Sequence, residues 1–522
     1  MDELLYGHNP LEHVVAVHQL NDSTVRIYRR DNGKISHSDV EFFPFFFLAS
    51  DRFLEGYPRK HWLKKLEGNN YYQYLVAFPR WSDMWDAVRY LLREYNKTAQ
   101  RPAESYSDVE ILHVKPDPVV QYLMQSGITY FKKMTFNDLT RMQIDIETYS
   151  KAHTFSNARK TEDRIILIAL ADNRGWEEVI DGRKHSEPAM LHKLMTLIQE
   201  KDPDIIEGHN LFGFDLPYLL KRCELYGIEF LVGRDGSSPR PVTGRASAFE
   251  STPEPLFYEL NGRNLVDTLL LAQTYDISAR TLESYGLKYL AHHFGFASKN
   301  RVYIPGEKIS WYWDNDPDTL LAYALDDVRE TRLLSEQLSP SSFYLTQIAP
   351  LPYATVTRAG STVKIESLLL REYLRKRHSV PKPSEGTQTG GGYSDIFLTG
   401  LLSNVVHADV ESLYPSIIVS NNIKPRHDSL NVFPTLLKKL LALRLDAKNK
   451  MLRSKQPLLR SKYDAMQASY KILINSFYGY LGYSNGLFSD FEQANNVTAT
   501  GQELLRNIIK QVELYNGTVI EV

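Results

Sequence analysis

The chain has a single cysteine among its 522 residues, Cys223. That excludes an internal disulfide and any zinc site built on thiolates, and it suits a reducing compartment. An excess of either charge is also missing: 61 basic and 63 acidic side chains leave a net charge of −2. A nucleic acid would have to be gripped by a local concentration of positive charge, not by the field of the whole molecule. Long apolar runs are absent. The greasiest, Phe42 to Ala49, is too short to span a bilayer and contains Pro44. The start, Met1-Asp2-Glu3-Leu4-Leu5, has neither the basic residues nor the apolar core of a signal peptide, which predicts a cytoplasmic protein with no membrane role. At 43% hydrophobic and 24% charged residues, the composition is that of globular material, long enough for three or more domains.

What is present begins as scaffold. Val14 to Val17 and Thr24 to Arg29 alternate as strands do, Asp31-Asn32-Gly33 is a hairpin turn, and Trp81 to Tyr95 has helical periodicity. Chemistry starts at Met142-Gln143-Ile144-Asp145-Ile146-Glu147-Thr148. Read as a strand, it turns Ile144 and Ile146 to a core and projects Asp145 and Glu147 together from the other face. Paired carboxylates repel each other, and a bound divalent cation reverses that repulsion. Taken alone, D-x-E is more simply a solvated strand face. The next strand, Arg164 to Ala171, is nearly continuous in Ile and Leu, which predicts a buried, mixed sheet.

Two further segments carry acids. In Glu207-Gly208-His209-Asn210-Leu211-Phe212-Gly213-Phe214-Asp215-Leu216-Pro217, a strand end passes through a glycine-bearing loop into a helix from Leu216. Asp215 fits the N-cap and Pro217 the first turn, so a well-made cap is an equal explanation. In Tyr323-Ala324-Leu325-Asp326-Asp327, Tyr323 and Asp327 are four apart in a helical stretch, Asp316 to Leu334, and share a face that Asp326 leaves. Asp145, Glu147, Asp215 and Asp327 are together able to hold two metal ions, with a tyrosine hydroxyl to orient water.

The last third reads differently. Residues 379 to 392 are rich in Pro, Gly, Ser and Thr, as a linker or exposed loop is, and 357 to 377 reads as a helix. Asn404 to Asp409 reads as a short buried strand delivering Asp409 to its end, and Tyr414 stands before Pro415, which disfavours helical backbone there. A half-buried strand ending in a turn is the plain alternative to a metal-binding Asp409 walled by Tyr414. Two helices follow, about 434 to 453 and 461 to 479. Arg444 and Lys448 lie four apart on the first; Lys471, Asn475 and Tyr478 share a face of the second, before Gly479. Like charges at that spacing suit a bound anion, although a solvated basic face is commoner. Gly517 to Val522 reads as an apolar strand.

Asp409-Val410-Glu411-Ser412-Leu413-Tyr414-Pro415-Ser416-Ile417-Ile418 resembles the first palm motif of the B-family DNA polymerases, D-x-x-S-L-Y-P-S-I-I. Lys471 to Gly479 resembles their fingers motif, K-x-x-x-N-S-x-Y-G, with Arg444 and Lys448 on its partner helix. The acidic segments resemble the DEDD proofreading exonucleases with a tyrosine in the last motif. Thr389-Gly390-Gly391-Gly392-Tyr393 stands where the family has Y-x-G-G, with Thr389 in place of the tyrosine. The resemblance implies an α/β multidomain chain. Residues 1–137 would form a mixed α/β amino-terminal domain, with about 336–378 packed back on it, and 138–335 a ribonuclease-H-like 3′→5′ exonuclease. Residues 379–432 and 484–522 would be two parts of an α+β palm flanking helical fingers at 433–483. The family's D-T-D motif and thumb are not in this sequence, which is what a split, interrupted or truncated polymerase would give.

The same resemblance implies template-directed DNA synthesis with proofreading, using Mg2+ or Mn2+, two ions per active site. Asp145, Glu147, Asp215, Tyr323, Asp327 and Asp409 would be catalytic, all but Tyr323 binding metal, with the Val410 carbonyl assisting Asp409. Leu413, Arg444, Lys448, Lys471 and Asn475 would hold the nucleotide, and Tyr414 would exclude a ribose 2′-hydroxyl. Asn210, Phe214, Gly391, Gly392, Tyr478 and Gly479 would contact DNA. The implied partners are primer-template DNA, dNTPs, a second polypeptide carrying the D-T-D motif and thumb, and a sliding clamp, in a nucleoid-associated setting. Two rivals stand beside this reading: a stand-alone exonuclease with a vestigial polymerase half, and a non-catalytic DNA-binding scaffold.

Overall fold

The computed structural model describes residues 2–150, 156–243, 256–388, 390–410 and 412–522. Thr389 and Glu411, both part of the motifs above, lie outside the described residues. The amino-terminal part opens on a three-stranded antiparallel meander, Val14–Asn21, Thr24–Asp31 and Lys34–Glu41. Its second turn puts Asn32 and Gly33 at φ +50° and +79°, the left-handed pair that a two-residue hairpin in twisted strands requires. A four-stranded sheet follows, covered by the helix Trp81–Asn96, whose Met84, Ala87, Val88 and Leu91 enter a shared core with Phe46 and Val76.

The middle of the chain is a five-stranded sheet of β1 (Arg141–Thr148), β2 (Ile165–Asp172), β3 (Glu177–Asp181), β4 (Ile205–Gly208) and β5 (Asn264–Asp267), in the order β3-β2-β1-β4-β5. β1, β2 and β3 pair antiparallel, whereas β4 runs parallel to both β1 and β5. The continuous apolar run of β2 has its cause here, since both faces of the sheet are covered. Ile168 and Leu170 pack with Ile144, Ile146 and the helices Glu187–Lys201 and α1 (Leu216–Leu225). Leu167 and Ala169 pack instead on Leu320, Ala324 and Val328 of the long helix α2 (Pro317–Thr346). The even residues of β1 therefore face one layer, and Asp145 and Glu147 face α2.

Beyond α2 the helices Tyr353–Arg358 and Ser361–Arg375 occupy the stretch expected to be one helix from 357, broken at Ala359-Gly360. Arg371 is fully buried and donates to the carbonyls of Leu4, Leu5 and Ile348, which fastens the amino terminus to this region. Then come α3 (Leu413–Ser420), the antiparallel pair α4 (Val432–Arg453) and α5 (Pro457–Leu481), and α6 (Phe491–Leu514). Phe433 of α4 meets Phe477 of α5 at 4.9 Å between ring centroids. Among the described residues no helix is long and apolar enough to cross a membrane.

Three local expectations are corrected. No strand forms over Asn404–Asp409, where Val405 and Val406 are 58% and 88% exposed. β-branched residues make a strand only against a partner, and among the described residues none pairs with this segment. The apolar end of the chain is not a full strand either. It makes a short antiparallel pairing, Phe397 N–H to the Ile520 carbonyl at 2.8 Å and Val522 N–H to that of Asp395 at 2.9 Å. Tyr414 lies inside α3 despite preceding Pro415; Ser412, at φ +57° and ψ +47°, takes the sharp turn, and Pro415 is tolerated in a first turn that needs no N–H from it.

Candidate active sites

Opposite β1, α2 presents Tyr323 and Asp327 one helical turn apart, both buried. Carboxylate oxygens of Asp145, Glu147 and Asp327 all lie within 4.8 Å of one another. Asp215 adjoins them without joining that tight group: its Oδ1 accepts the Ile146 N–H at 3.1 Å, between the two β1 acids. Burial, and then the charges of their neighbours, push the Asp145, Glu147 and Asp215 carboxyls well above the usual carboxylate range. Burial and the Asp327, Glu147 and Asp145 carboxylates push the Tyr323 hydroxyl up as well, which keeps it a hydrogen-bond donor. An oxygen-only donor set, buried at Glu147 and Asp327 and half-buried at Asp145, that cannot comfortably hold its own charge suits a hard divalent cation.

Two cations complete this pocket that no sequence motif announced. Lys288 Nζ lies 2.7 Å from Asp327 Oδ2 and 4.6 Å from the Tyr323 ring centroid. The Arg301 guanidinium donates to Asp327 Oδ1, to Glu330 Oε1 at 2.8 Å, and sits 5.1 Å from the Tyr323 ring centroid. Asp327 is thus oriented through both its oxygens. Asp326, left aside in the sequence, pairs outward with Arg329 at 3.3 Å.

The loop between β4 and α1 departs from the expected cap. Leu211–Asp215 forms a wide π-helical turn, and Asp215 has helical backbone angles with no capping bond from its side chain. The chain needs that turn because Asn210, at φ +66°, reverses direction, its carbonyl accepting the N–H groups of Gly213 at 3.1 Å and Phe214 at 2.9 Å. Asn210 is exposed and Phe214 half-buried at the pocket's edge. A Cβ on Gly213 would lie 2.3 Å from Asn210 Oδ1, so glycine here leaves the Asn210 side chain its present place.

The second candidate site is looser. Asp409 and Val410 are exposed, and among the described residues no metal-ligating group includes Asp409. The Tyr414 ring packs at a tilt against Tyr478, 4.4 Å between centroids and 42° between planes, and a Cβ on Gly392 would meet the Tyr414 hydroxyl at 3.2 Å. Leu413 is half-buried beside them. Arg444 Nη1 donates to Ser412 Oγ at 2.8 Å, which brings α4 to the turn after Asp409; Lys448 follows on the same helix, half-exposed. On α5, Tyr470, Leu473, Ile474 and Phe477 are buried while Lys471, Asn475 and Gly479 face outward. Gly391 and Gly479 have open space where a side chain would stand. The glycine loop is latched to α6, Gly390 N–H to Asn495 Oδ1 at 3.1 Å and Gln502 Nε2 to the Gly391 carbonyl at 2.9 Å. Neither latch residue carries a sequence signal that would have singled it out.

Comparison with known proteins bears on both sites. Residues 89–290 match the family model described as DNA polymerase family B, exonuclease domain, and residues 424–520 match that of DNA polymerase family B. The DNA polymerase of Pyrococcus glycovorans is 30% identical over 436 residues, 75% of this chain and 53% of that protein. DNA polymerase 1 of Pyrococcus abyssi is 30% identical over 438 residues, with the same coverage, 75% and 53%. The chain therefore spans about half the length of the curated relatives it matches. In fold it is similar to the family B DNA polymerase of the archaeon Pyrobaculum calidifontis, with a TM-score of 0.74 and 22% identity, over 98% of this chain and 73% of that one.

Proposed function

Because this chain belongs to family B of the DNA polymerases and carries the family's exonuclease domain, we propose that it removes nucleotides from DNA 3′ ends and contributes the nucleotide-gripping half of a template-directed polymerase. The observation that carries the first part is the meeting of Asp145, Glu147 and Asp327 within 4.8 Å beside Tyr323. Asp145, Glu147, Asp215 and Asp327 would hold Mg2+ or Mn2+. When bound, such ions lower the pKa of a water and stabilise the departing oxygen of a phosphodiester. The protein's own groups do the rest. Tyr323, kept protonated, donates to the attacking water, Lys288 and Arg301 fix the orientation of Asp327, and Asn210 and Phe214 hold the strand end.

For synthesis, Arg444, Lys448 and Lys471 grip a triphosphate through charge-assisted contacts, with Asn475 assisting. Tyr414, braced by Tyr478 and Leu413, walls off the space of a ribose 2′-hydroxyl. Gly391, Gly392 and Gly479 leave room for the template and the new base pair. One carboxylate, Asp409, with the Val410 carbonyl is too few ligands for a two-metal site. Further acids on a segment like the family's D-T-D hairpin, in a longer form of this polypeptide or in a second one, would complete it. The exposed Val405, Val406, Ile396 and Tyr515 support such a cover. The stand-alone exonuclease remains the second reading, favoured by the contrast between an assembled acidic pocket and an Asp409 that joins no metal-ligating group among the described residues. A bare DNA-binding scaffold fits poorly, since buried carboxylates without metal would only repel DNA.

One preparation tests all of this. With Mg2+ or Mn2+, 5′-labelled single-stranded DNA is expected to shorten stepwise from its 3′ end, and EDTA is expected to stop it. Primer extension is expected only when a polypeptide carrying the D-T-D motif and thumb is added. Failure to shorten the strand removes the exonuclease reading, and extension by the chain alone removes the need for a completing segment. In the same assay Gly213→Ala, which forces the Asn210 amide to rotate, is expected to lower cleavage about tenfold while changing stability by less than about 0.5 kcal/mol. Unchanged cleavage would mean that the Asn210 amide does not touch the strand.

A further inference from the structure

At the end of β5, directly opposite Gly208 of β4 in the parallel register, stands Asp267. Its side chain is buried, and it is engaged by the loop across from it. Oδ1 accepts the Asn210 N–H at 2.9 Å and Oδ2 the Phe212 N–H at 3.1 Å. The same Oδ1 caps the following helix, Thr268–Ala279, through the Leu269 N–H at 3.0 Å. Next to it, Thr268 Oγ1 meets His209 Nδ1 at 2.9 Å, while His209 Nε2 meets the Tyr285 carbonyl at 2.9 Å. The loop's first turn is therefore fastened to the end of β5.

The consequence concerns Asn210. A non-glycine residue in the left-handed region is held there at a cost of about 1 kcal/mol, and it stays only when its surroundings over-determine it. Here the Asn210 N–H is taken by Asp267, its carbonyl is taken by Gly213 and Phe214, and its side-chain amide is left facing out at the pocket's rim. Asp267 itself has no place in the group of carboxylates that meet around Asp145.

We propose that Asp267 is a positioning residue of the exonuclease pocket, which aims the Asn210 amide at the 3′-terminal nucleotide by holding the backbone of residues 210–212. This rests on the exonuclease reading given above. It assigns Asp267 to grip on the strand end and not to bond cleavage, so its loss is read in KM and leaves kcat nearly intact.

The capping role and the positioning role are separable. Serine is as good an N-cap as aspartate, so Asp267→Ser keeps a cap for Leu269 but is too short, with one oxygen, to hold two loop amides. Asp267→Asn keeps Oδ1 and opposes an amide donor to the Phe212 N–H. Steady-state cleavage of single-stranded DNA is measured for the full chain, both variants, Asn210→Ala, and the doubles with Asn210→Ala. The expected result is a rise in KM of about tenfold in Asp267→Ser, with kcat changed less than about twofold, and no further rise in the double variant. A smaller rise is expected in Asp267→Asn. The idea is overturned if Asp267→Ser, melting as the parent does, keeps the parental KM, or if its effect is undiminished when Asn210 is already alanine. If Asp267→Ser does not fold, Asp267→Asn decides by the same two comparisons. An inactive parent chain instead removes the exonuclease reading, and this inference falls with it.

Discussion

Replacing Asp145 by asparagine is expected to lower metal-dependent 3′→5′ cleavage by about a thousandfold, some 4 kcal/mol of barrier, and at the same time to raise the melting temperature of the metal-free protein. Both effects have one cause. Asp145 sits among Glu147, Asp215 and Asp327 in a pocket where burial and the neighbouring charges raise the Asp145, Glu147 and Asp215 carboxyls. A raised carboxyl holds in the folded state protons that the unfolded chain has released. Stability therefore falls as pH climbs from the ordinary carboxylate range through the raised values; the penalty is already present at neutral pH and is complete only above the raised value, about 8 for Asp145. The asparagine keeps the volume and removes one of the titrating groups, so the pH slope of the variant is shallower. Divalent metal reverses the order. It binds the folded parent and raises its melting temperature, and it stabilises the variant much less. A variant that melts with the parent in EDTA, or that gains as much from Mn2+, would show that these acids are not a shared metal site.

The parts of this pocket that could be read from the sequence are those whose signal is local. D-x-E places Asp145 and Glu147 on one strand face by alternation alone, and Tyr323 and Asp327 share a helix face by their spacing. Lys288 and Asp267 were not legible because their partners come from other elements; Lys288 is 39 residues from Asp327, and Asp267 is 57 from Asn210. Local rules failed where the backbone found another solution. Asp215 looked like an N-cap, but the π-helical turn carries it past the cap position and points it at Ile146. Pro415 suggested that Tyr414 would be extended, and Ser412 absorbed the turn instead. At Asn404–Asp409 the valines gave a strand signal without a strand, because alternation predicts burial only where a neighbouring strand exists to pair with. The fingers pair was the easiest to read, as α4 and α5 carry their own periodicity and need only each other.

Arg301→Met is expected to cost about 3–5 kcal/mol of stability, because it leaves a buried carboxylate without its counter-charge. The guanidinium is the bidentate partner of Glu330, at 2.8 and 3.2 Å, and Glu330 is only 4% exposed. Asp327, the other acid it touches, keeps Lys288 at 2.7 Å, so Glu330 bears most of the loss. Burial already holds the Glu330 carboxyl above its ordinary value. Without the guanidinium it rises further, and protonation then relieves the strain. The deficit should accordingly be largest near pH 8 and shrink as pH falls toward 5. Metal does not repair it, since Glu330 belongs to no metal-ligating group among the described residues. Neutralising the orphan does: Arg301→Met combined with Glu330→Gln should recover most of the stability without recovering activity. Tyr323 and Asp327 would still lack their common support, and cleavage should stay about 10- to 100-fold down. Chemical denaturation of the parent, the single and the double variant at two pH values separates these effects. A double variant no more stable than the single would mean that the Arg301–Glu330 pair is not what the fold depends on at this end of α2.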